Sequence, residues 1–342
     1  MDIEKRLDFV KRNTAEITTE EELRKLLQSK EHPSVYLGTA VTGRPHVGYF
    51  VWVLKLADFL KAGFKVKVLL ADIHGSLDNT PWDMLENRYQ YYKMVITPIF
   101  EAIGVDTKKV EFVKGSSFQF KDKYIHDVLK MSTFASVHDC TKASSEVVKQ
   151  SDNPKLSGLI YPIMQSLDEE HLDVDVQYGG VDQRKILMFA RENLPKLGYR
   201  QRVEVMTPLI PGLQGGDGKM SSSIKGSKID LLDSPEDVNK KISAAFCPEG
   251  VVEGNGILAF LKYVVMVYKG DQKKEFIVKR PEKFGGDVSF KTYEELEKIF
   301  VNKKLHPADL KKALAEEVNK LLEPIRKAAK GKEDLIKKAY PE

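Results

Sequence analysis

The sequence predicts an α/β fold: a Rossmann-like doubly wound parallel sheet with a helical insertion, followed by a mainly α-helical C-terminal domain. Three observations carry this expectation. Short apolar runs alternate with amphipathic helical patterns through residues 1–230, a stretch from about 81 to 157 reads as helix and breaks that alternation, and long amphipathic patterns dominate 231–342. Strand, helix, strand units of this length suit parallel pairing, which needs a crossover connection.

The first strand is VYLGTA, 35–40, and the second is KVKVLLAD, 65–72, alternating at first and then wholly apolar. Between them Val47, Phe50, Val51, Leu54, Ala57 and Leu60 recur at helical spacing, and Gly63 is placed to stop the helix. Further strands are expected at VEFVKG (110–115), LDVDVQYGG (172–180) and VEVMTPLI (203–210), with KILMFARENL as a helix between the last two. In such a sheet ligands sit beyond the carboxyl ends of the strands. Past Ile229, residues Leu310, Ala313, Leu314, Val318, Leu321, Leu322 and Ile325 form one apolar face, and Pro324 is expected to bend that helix. The tail GKEDLIKKAYPE is expected to fray, and PGLQGGDGKMSSSIKGSK, 211–228, reads as a glycine- and serine-rich join.

Composition narrows the class. With 42% hydrophobic residues, 342 residues bury a full core, and the length favours two domains over one. The N-terminal MDIEKRLDFVKRN lacks the apolar centre of a signal peptide, and no run approaches the roughly 18 apolar residues of a membrane span, so cytoplasm is the default expectation. Cys140 and Cys247 have neither CxxC nor Cys/His spacing and read as reduced packing residues. A net charge of +4 is too small to announce a nucleic-acid binder by itself.

Two segments carry chemistry. RPHVGYF, 44–50, stands at a strand-to-helix turn, where unpaired backbone N–H groups and the positive dipole end suit a phosphate chain. His46 adds a donor there and Gly48 admits a flat base or ribose, although a proline-initiated helix with a solvated histidine explains the stretch equally well. GKMSSS, 218–223, puts Lys219 and three serines on a glycine-rich loop, which suits a triphosphate as well as it suits a linker. Tyr161, Gln165 and Asp168 are spaced by four and three, so they share a helix face. Gly179, Gly180 and Asp182 end a predicted strand, where an acidic side chain can take ribose hydroxyls. Asp72 and His74 end another, where lining the crevice and capping the core remain alternatives.

Taken together, the PHVGY turn and the KMSSS loop resemble the HIGH and KMSKS signatures of class I aminoacyl-tRNA synthetases. YLGTAVTGRPHVGYF, LLADIHGSLDN, LSGLIYPIMQSLDEEHLDVDVQYGGVDQRKI, KRPEKFGGD and KLHPADLKK, in that order, resemble tyrosyl-tRNA synthetases of the archaeal and eukaryotic type over nearly the whole chain. Two positions depart from the signatures: Tyr49 replaces the second histidine and Ser223 the second lysine, with Lys225 a candidate for a late charge.

The resemblance implies activation of L-tyrosine by ATP to tyrosyl adenylate and pyrophosphate, then transfer to the terminal adenosine of tRNA(Tyr). It makes His46 and Lys219 catalytic, and assigns Gly38, Thr42, His46, Gly48, Gly180, Asp182, Lys219, Met220, Ser221 and Ser222 to ATP. Mg2+ would be carried by the phosphates, with no protein ligands of its own. Tyr36 and Asp168 would meet the phenolic hydroxyl, while Tyr161, Gln165 and Gln183 hold the ammonium end. A site built around a hydroxyl rejects the analogue lacking it, and tyrosine against phenylalanine is the standing example of that rule. By the same resemblance Arg184 reads the first acceptor base pair, and Phe284, His306 and Asp309 grip the first anticodon base; Asp309 could instead cap a helix beginning at Leu310. Residues 1–230 would be the catalytic domain, 231–342 the anticodon-binding domain, and the insertion the contact of a homodimer. The alternatives are a tryptophanyl-tRNA synthetase of the same subclass and a non-catalytic RNA-binding or signalling protein on this fold.

Overall fold

A computed structural model describes residues 2–148, 153–215 and 228–341. The first part of the chain runs α1 (Ile3–Lys11), β1 (Glu16–Thr18), α2 (Glu20–Ser29), β2 (Ser34–Ala40), α3 (Tyr49–Lys61), β3 (Lys65–Ala71), α4 (Asp72–Leu77), α5 (Leu85–Ala102) and β4 (Val110–Lys114). It continues α6 (Ser116–Gln119), α7 (Asp122–Ser132), α8 (Val137–Ser144), α9 (Leu156–His171), β5 (Val176–Gly180), α10 (Arg184–Asn193) and β6 (Val203–Thr207). The six strands form one sheet in the order β1-β6-β5-β2-β3-β4. Five are mutually parallel, and β1 joins β6 antiparallel.

Helices cover both faces, in keeping with the apolar second half of β3 and the burial of every residue of β6, Glu204 included. The antiparallel β1 lies outside the sequence expectation, because EIT is too short to show a period. It covers what would otherwise be an open edge of β6. Two strands are shorter than their sequence patterns: Leu172 closes α9 through its N–H to Asp168 O, 2.9 Å, and β6 stops before Pro208, which has no N–H to donate. Asp72 starts α4 rather than ending β3.

Within 81–157, α5 is the crossover from β3 and β4 is the edge strand of the sheet, so the helices added between the halves of the sheet are α6, α7 and α8. The later part contains α11 (Pro235–Ala244), α12 (Gly256–Phe260), α13 (Met266–Asp271), an antiparallel hairpin of β7 (Phe276–Val278) and β8 (Val288–Phe290), α14 (Tyr293–Val301), α15 (Pro307–Ala329) and α16 (Glu333–Ala339). Helix α15 runs on through Pro324 and packs against α5 and α11.

The expectation of a fraying tail is corrected. Helix α16 packs on α5, and the Tyr340 ring lies under the Arg88 guanidinium at 4.5 Å and edge-on to Tyr91 at 5.1 Å. Its hydroxyl reaches Thr42 O at 3.3 Å, so a cation–π contact and a hydrogen bond anchor what composition alone leaves loose.

Candidate functional site

A cavity of about 750 Å³ opens at the carboxyl ends of β2 and β5, where the strand order reverses. Tyr36, Gly38, Thr42, His46, Gly48, Tyr161, Gln165, Asp168, Gly180, Asp182 and Gln183 all line it. Lys219, Met220, Ser221 and Ser222, with Ser223 and Lys225, lie outside the described residues.

The turn after β2 is held from two sides. Segment 228–231 runs against it, with Val47 N–H to Ile229 O at 3.0 Å, Leu231 N–H to Pro45 O at 3.3 Å, and Lys228 Nζ on Arg44 O at 2.7 Å. From the other side Tyr92 OH donates to Gly43 O at 2.5 Å, and Arg88 bonds Thr42 O. One expectation about this turn is overturned. The N–H groups of Tyr49, Phe50 and Val51 are not unpaired; they close tight-turn bonds to His46 O, Val47 O and Gly48 O. What remains to face an anion is the dipole end and His46 itself.

His46 Nδ1 accepts from Gly48 N–H at 3.1 Å, which leaves the ring proton on Nε2. Burial, together with the nearby Lys228 charge, lowers its pKa to about 3. The imidazole is therefore a neutral donor. Tyr49 is an internal support: its hydroxyl lies 3.2 Å from Thr39 Oγ1 and its ring stands edge-on to His46 at 5.5 Å.

At the other end of the cavity, α9 presents Tyr161, Gln165 and Asp168 on one face, as their spacing requires. Gln165 Nε2 donates to Gln183 Oε1 at 3.2 Å, and Tyr36 OH donates to Gln165 O at 3.3 Å. The glycines at the end of β5 leave room for the side chains that follow. A Cβ on Gly180 would stand 2.6 Å from Asp182 Oδ1 and 2.9 Å from Leu209, and one on Gly179 would stand 3.0 Å from Gln183 Cγ. They allow Asp182 and Gln183 to fold back over the strand end.

Asp168 is fully enclosed, and burial pushes its carboxyl up to about 8 against the lowering effect of Gln119 and Tyr124. Both of these donate to its Oδ1 at 2.8 Å. Gln119 and Tyr124 are not among the residues that the sequence singles out for the site. The available signal is Gly115, at the carboxyl end of β4, where the strand-end rule applies. Of the alternatives for Asp72 and His74, Asp72 caps α6 through Ser116 N–H at 2.8 Å, whereas His74 lines the crevice.

The residues expected to read tRNA are not among those that line the cavity. Arg184 forms a surface ion pair with Glu16, at 2.7 and 2.9 Å. Phe284 is 60% exposed, and Arg280 ties its loop to the chain before His306 through bonds to Gly286 O and Lys304 O, each 3.0 Å. Asp309 does not cap a helix at Leu310: α15 begins at Pro307, His306 Nδ1 accepts from Ala308 N–H at 3.1 Å, and Asp309 sits in the first turn.

Among the described residues no helix is long and apolar enough to cross a membrane. The family model described as "tRNA synthetases class I (W and Y)" matches residues 28–323. The chain is 49% identical to the cytoplasmic tyrosine–tRNA ligase of Danio rerio over 99% of its own length, and it spans 64% of that relative's length. It is 48% identical to the cytoplasmic enzyme of Saccharomyces cerevisiae, covering 97% of this chain and 87% of that one. Its fold superposes on the Archaeoglobus fulgidus tyrosyl-tRNA synthetase, solved with L-tyrosine, at a TM-score of 0.88, with 44% identity, 96% of this chain and 99% of that chain covered. An alternating sheet with its cavity at the strand reversal, a histidine turn, and these matches over nearly the full length agree: the chain belongs to the class I synthetase family of tryptophan and tyrosine, within it to the tyrosine–tRNA ligases of archaeal and eukaryotic type.

Proposed function

We propose that the chain is a tyrosine–tRNA ligase. One observation carries the reading: a buried carboxylate, Asp168, faces the cavity beside the buried Tyr36 hydroxyl, while the amides of Gln165 and Gln183 stand linked on the same wall. A phenol suits the first pair, and an ammonium suits Tyr161, Gln165 and Gln183. An indole offers a single N–H and has no use for both Tyr36 and Asp168, which disfavours tryptophan.

In this reading the tyrosine carboxylate attacks the α-phosphorus of ATP, forming the acyl–phosphate bond as the bond to pyrophosphate breaks. No enzyme nucleophile takes part. The chain positions the reactants and stabilises charge, as phosphoryl chemistry asks of a protein. His46 donates from Nε2 to a phosphate oxygen without carrying a charge of its own, Asp182 takes ribose hydroxyls, Gly38, Thr42, Gly48 and Gly180 border the nucleotide, and Lys219 with Met220, Ser221 and Ser222 meets the leaving pyrophosphate. Mg2+ would ride on the phosphates and supply further charge neutralisation there. The tyrosyl group then passes to a ribose hydroxyl of the terminal adenosine, releasing AMP.

Residues 1–230 would serve as the catalytic domain and 231–342 as the anticodon-binding domain, with Phe284, His306 and Asp309 on the first anticodon base and Arg184 at the acceptor end. Phe284's exposure and its tether beside His306 support that pairing. Exposed Leu129 and Val137 on the added helices, with Phe120 just after α6, support a homodimer through this region. The cytoplasm is the proposed location, as in the names of the Danio rerio and Saccharomyces cerevisiae relatives.

The deciding experiment is pyrophosphate exchange with tyrosine, tryptophan and phenylalanine in parallel. Exchange that depends on tyrosine is expected; exchange with tryptophan alone, or none, overturns the reading.

A further inference from the structure

We propose that Gln177 is a further substrate-binding residue, whose amide N–H group faces the ring of the bound amino acid, and that Glu204 is the positioning residue which holds it that way. This rests on the tyrosine reading of the cavity.

Strand register brings the two together. Tyr36 of β2, Gln177 of β5 and Glu204 of β6 are direct partners across three parallel strands, so their side chains leave the same face of the sheet in one row. That face lies under α9, because Tyr36 OH reaches Gln165 O on that helix. Tyr36 and Gln177 line the cavity, whereas Glu204 is fully buried outside its lining. Gln177 therefore stands between a cavity-facing phenol and an enclosed carboxyl.

The two ends of the Gln177 amide differ. Among the described residues its Oε1 is enclosed without a hydrogen-bond partner, while Nε2 stays open to the cavity. Both oxygens of Glu204 are enclosed without a partner as well. A neutral Glu204 carboxyl satisfies an atom on each side: its O–H donates to Oε1 and leaves the N–H bonds of Nε2 directed into the cavity. An ionised Glu204 has only acceptors. The amide then turns over, gives an N–H to the carboxylate and presents Oε1 to the cavity.

The direction decides the contact. With the phenol end at Tyr36 and Asp168 and the ammonium end at Tyr161, Gln165 and Gln183, the ring of the substrate spans the space between. An N–H against the negative face of an aromatic ring is attractive, and a carbonyl oxygen there is repulsive. The groups around Glu204 favour its neutral form. Burial raises its pKa, Glu169 of α9 and Glu22 of α2 add to the rise, and Arg191 of α10 and Arg202, just before β6, oppose it through charge. Tyr36, the titratable group in the same row from β2, is held neutral by burial.

The test measures the KM for tyrosine in pyrophosphate exchange from about pH 7 to about pH 9.5, with the KM for ATP alongside. The full chain is compared with Gln177→Met, with Glu204→Gln and with the double variant; Gln177→Leu replaces Gln177→Met if that chain does not fold. Asp168 and the substrate's own groups titrate in every form, so the chains are compared at each pH. Near pH 7, Gln177→Met should raise the KM for tyrosine by about twofold to fivefold and leave the KM for ATP unchanged. As pH rises the wild type should lose its advantage over Gln177→Met. Glu204→Gln should keep it, since its amide donates to Oε1 at every pH, and in the double variant the Glu204 substitution should have no effect of its own. An unchanged KM in Gln177→Met, a parallel rise in the KM for ATP, a Glu204→Gln profile that follows the wild type, or a Glu204 effect that persists without the Gln177 amide would overturn the proposal. A wild type without tyrosine-dependent exchange would sink the functional reading itself, which separates the two failures.

Discussion

Replacing Glu204 by Gln should stabilise the protein at alkaline pH and flatten its stability profile. Strand registers put Glu111, Lys67, Tyr36, Gln177, Glu204 and Thr18 in one row across the sheet. Glu204 and Glu169 of α9 are both fully buried, and none of their four carboxylate oxygens has a hydrogen-bond partner. The nearby arginines have committed their donors elsewhere: Arg202 to Glu170 at 2.6 Å and Val174 O at 3.2 Å, Arg191 to Glu22 at 2.9 Å. They act on the pair only through charge. Burial pushes Glu169 from 4.5 to about 8, and it raises Glu204 as well, with Glu169 adding to the shift.

A carboxyl whose pKa is higher folded than unfolded binds more protons in the native state. Its stabilising contribution is complete below the unfolded pKa and is lost as pH rises toward the folded one. At about 1.4 kcal/mol per unit, the stability that the raised Glu169 carboxyl contributes is complete below its ordinary pKa of 4.5 and is lost as pH rises toward the folded one. The amide introduced by Glu204→Gln removes one charge and offers Glu169 a donor, which should return on the order of 2 kcal/mol at about pH 9 and little at about pH 5. Urea unfolding at fixed protein concentration across that range reads the difference directly. A variant less stable than wild type at alkaline pH, or one displaced by a constant amount at every pH, would refute the buried-pair reasoning.

Gly115→Ala would place a Cβ 2.7 Å from Gln119 Oε1 and 2.8 Å from Asp72 Oδ1. We expect about 1–3 kcal/mol of destabilisation by urea unfolding and a raised KM for tyrosine, with the KM for ATP unmoved. Asp309→Ala should weaken tRNA charging and leave adenylate formation intact; equal loss in both assays contradicts the anticodon assignment. Leu129→Asp combined with Val137→Asp puts charge on two exposed apolar side chains of the added helices and should convert a dimer to a monomer in sedimentation velocity. Persistence of the dimer would move the contact elsewhere.

Local pattern made much of this fold legible. Strands β2, β3 and β4 and helices α3 and α10 are long enough, or regular enough, for their periods to name them. β1 and the β7–β8 hairpin have strands of three residues each, too short for any period, and exist because a neighbouring strand pairs with them. The cavity was legible where residues sit close in sequence, as with Tyr161, Gln165 and Asp168. It was not legible where α6 and α7 deliver Gln119 and Tyr124 from more than forty positions away.

Sequence by itself determined the alternating architecture, the histidine turn and the polar face of α9, because each follows from spacing along a few consecutive turns. Only the tertiary structure decided the states of those groups. It seats the His46 proton on Nε2 and closes the helix-start N–H groups onto their own turn. It anchors Tyr340 over the turn and buries Glu169 and Glu204 without partners. Protonation, donor direction and burial depend on which distant side chains arrive at an atom, and spacing along the chain carries no record of that.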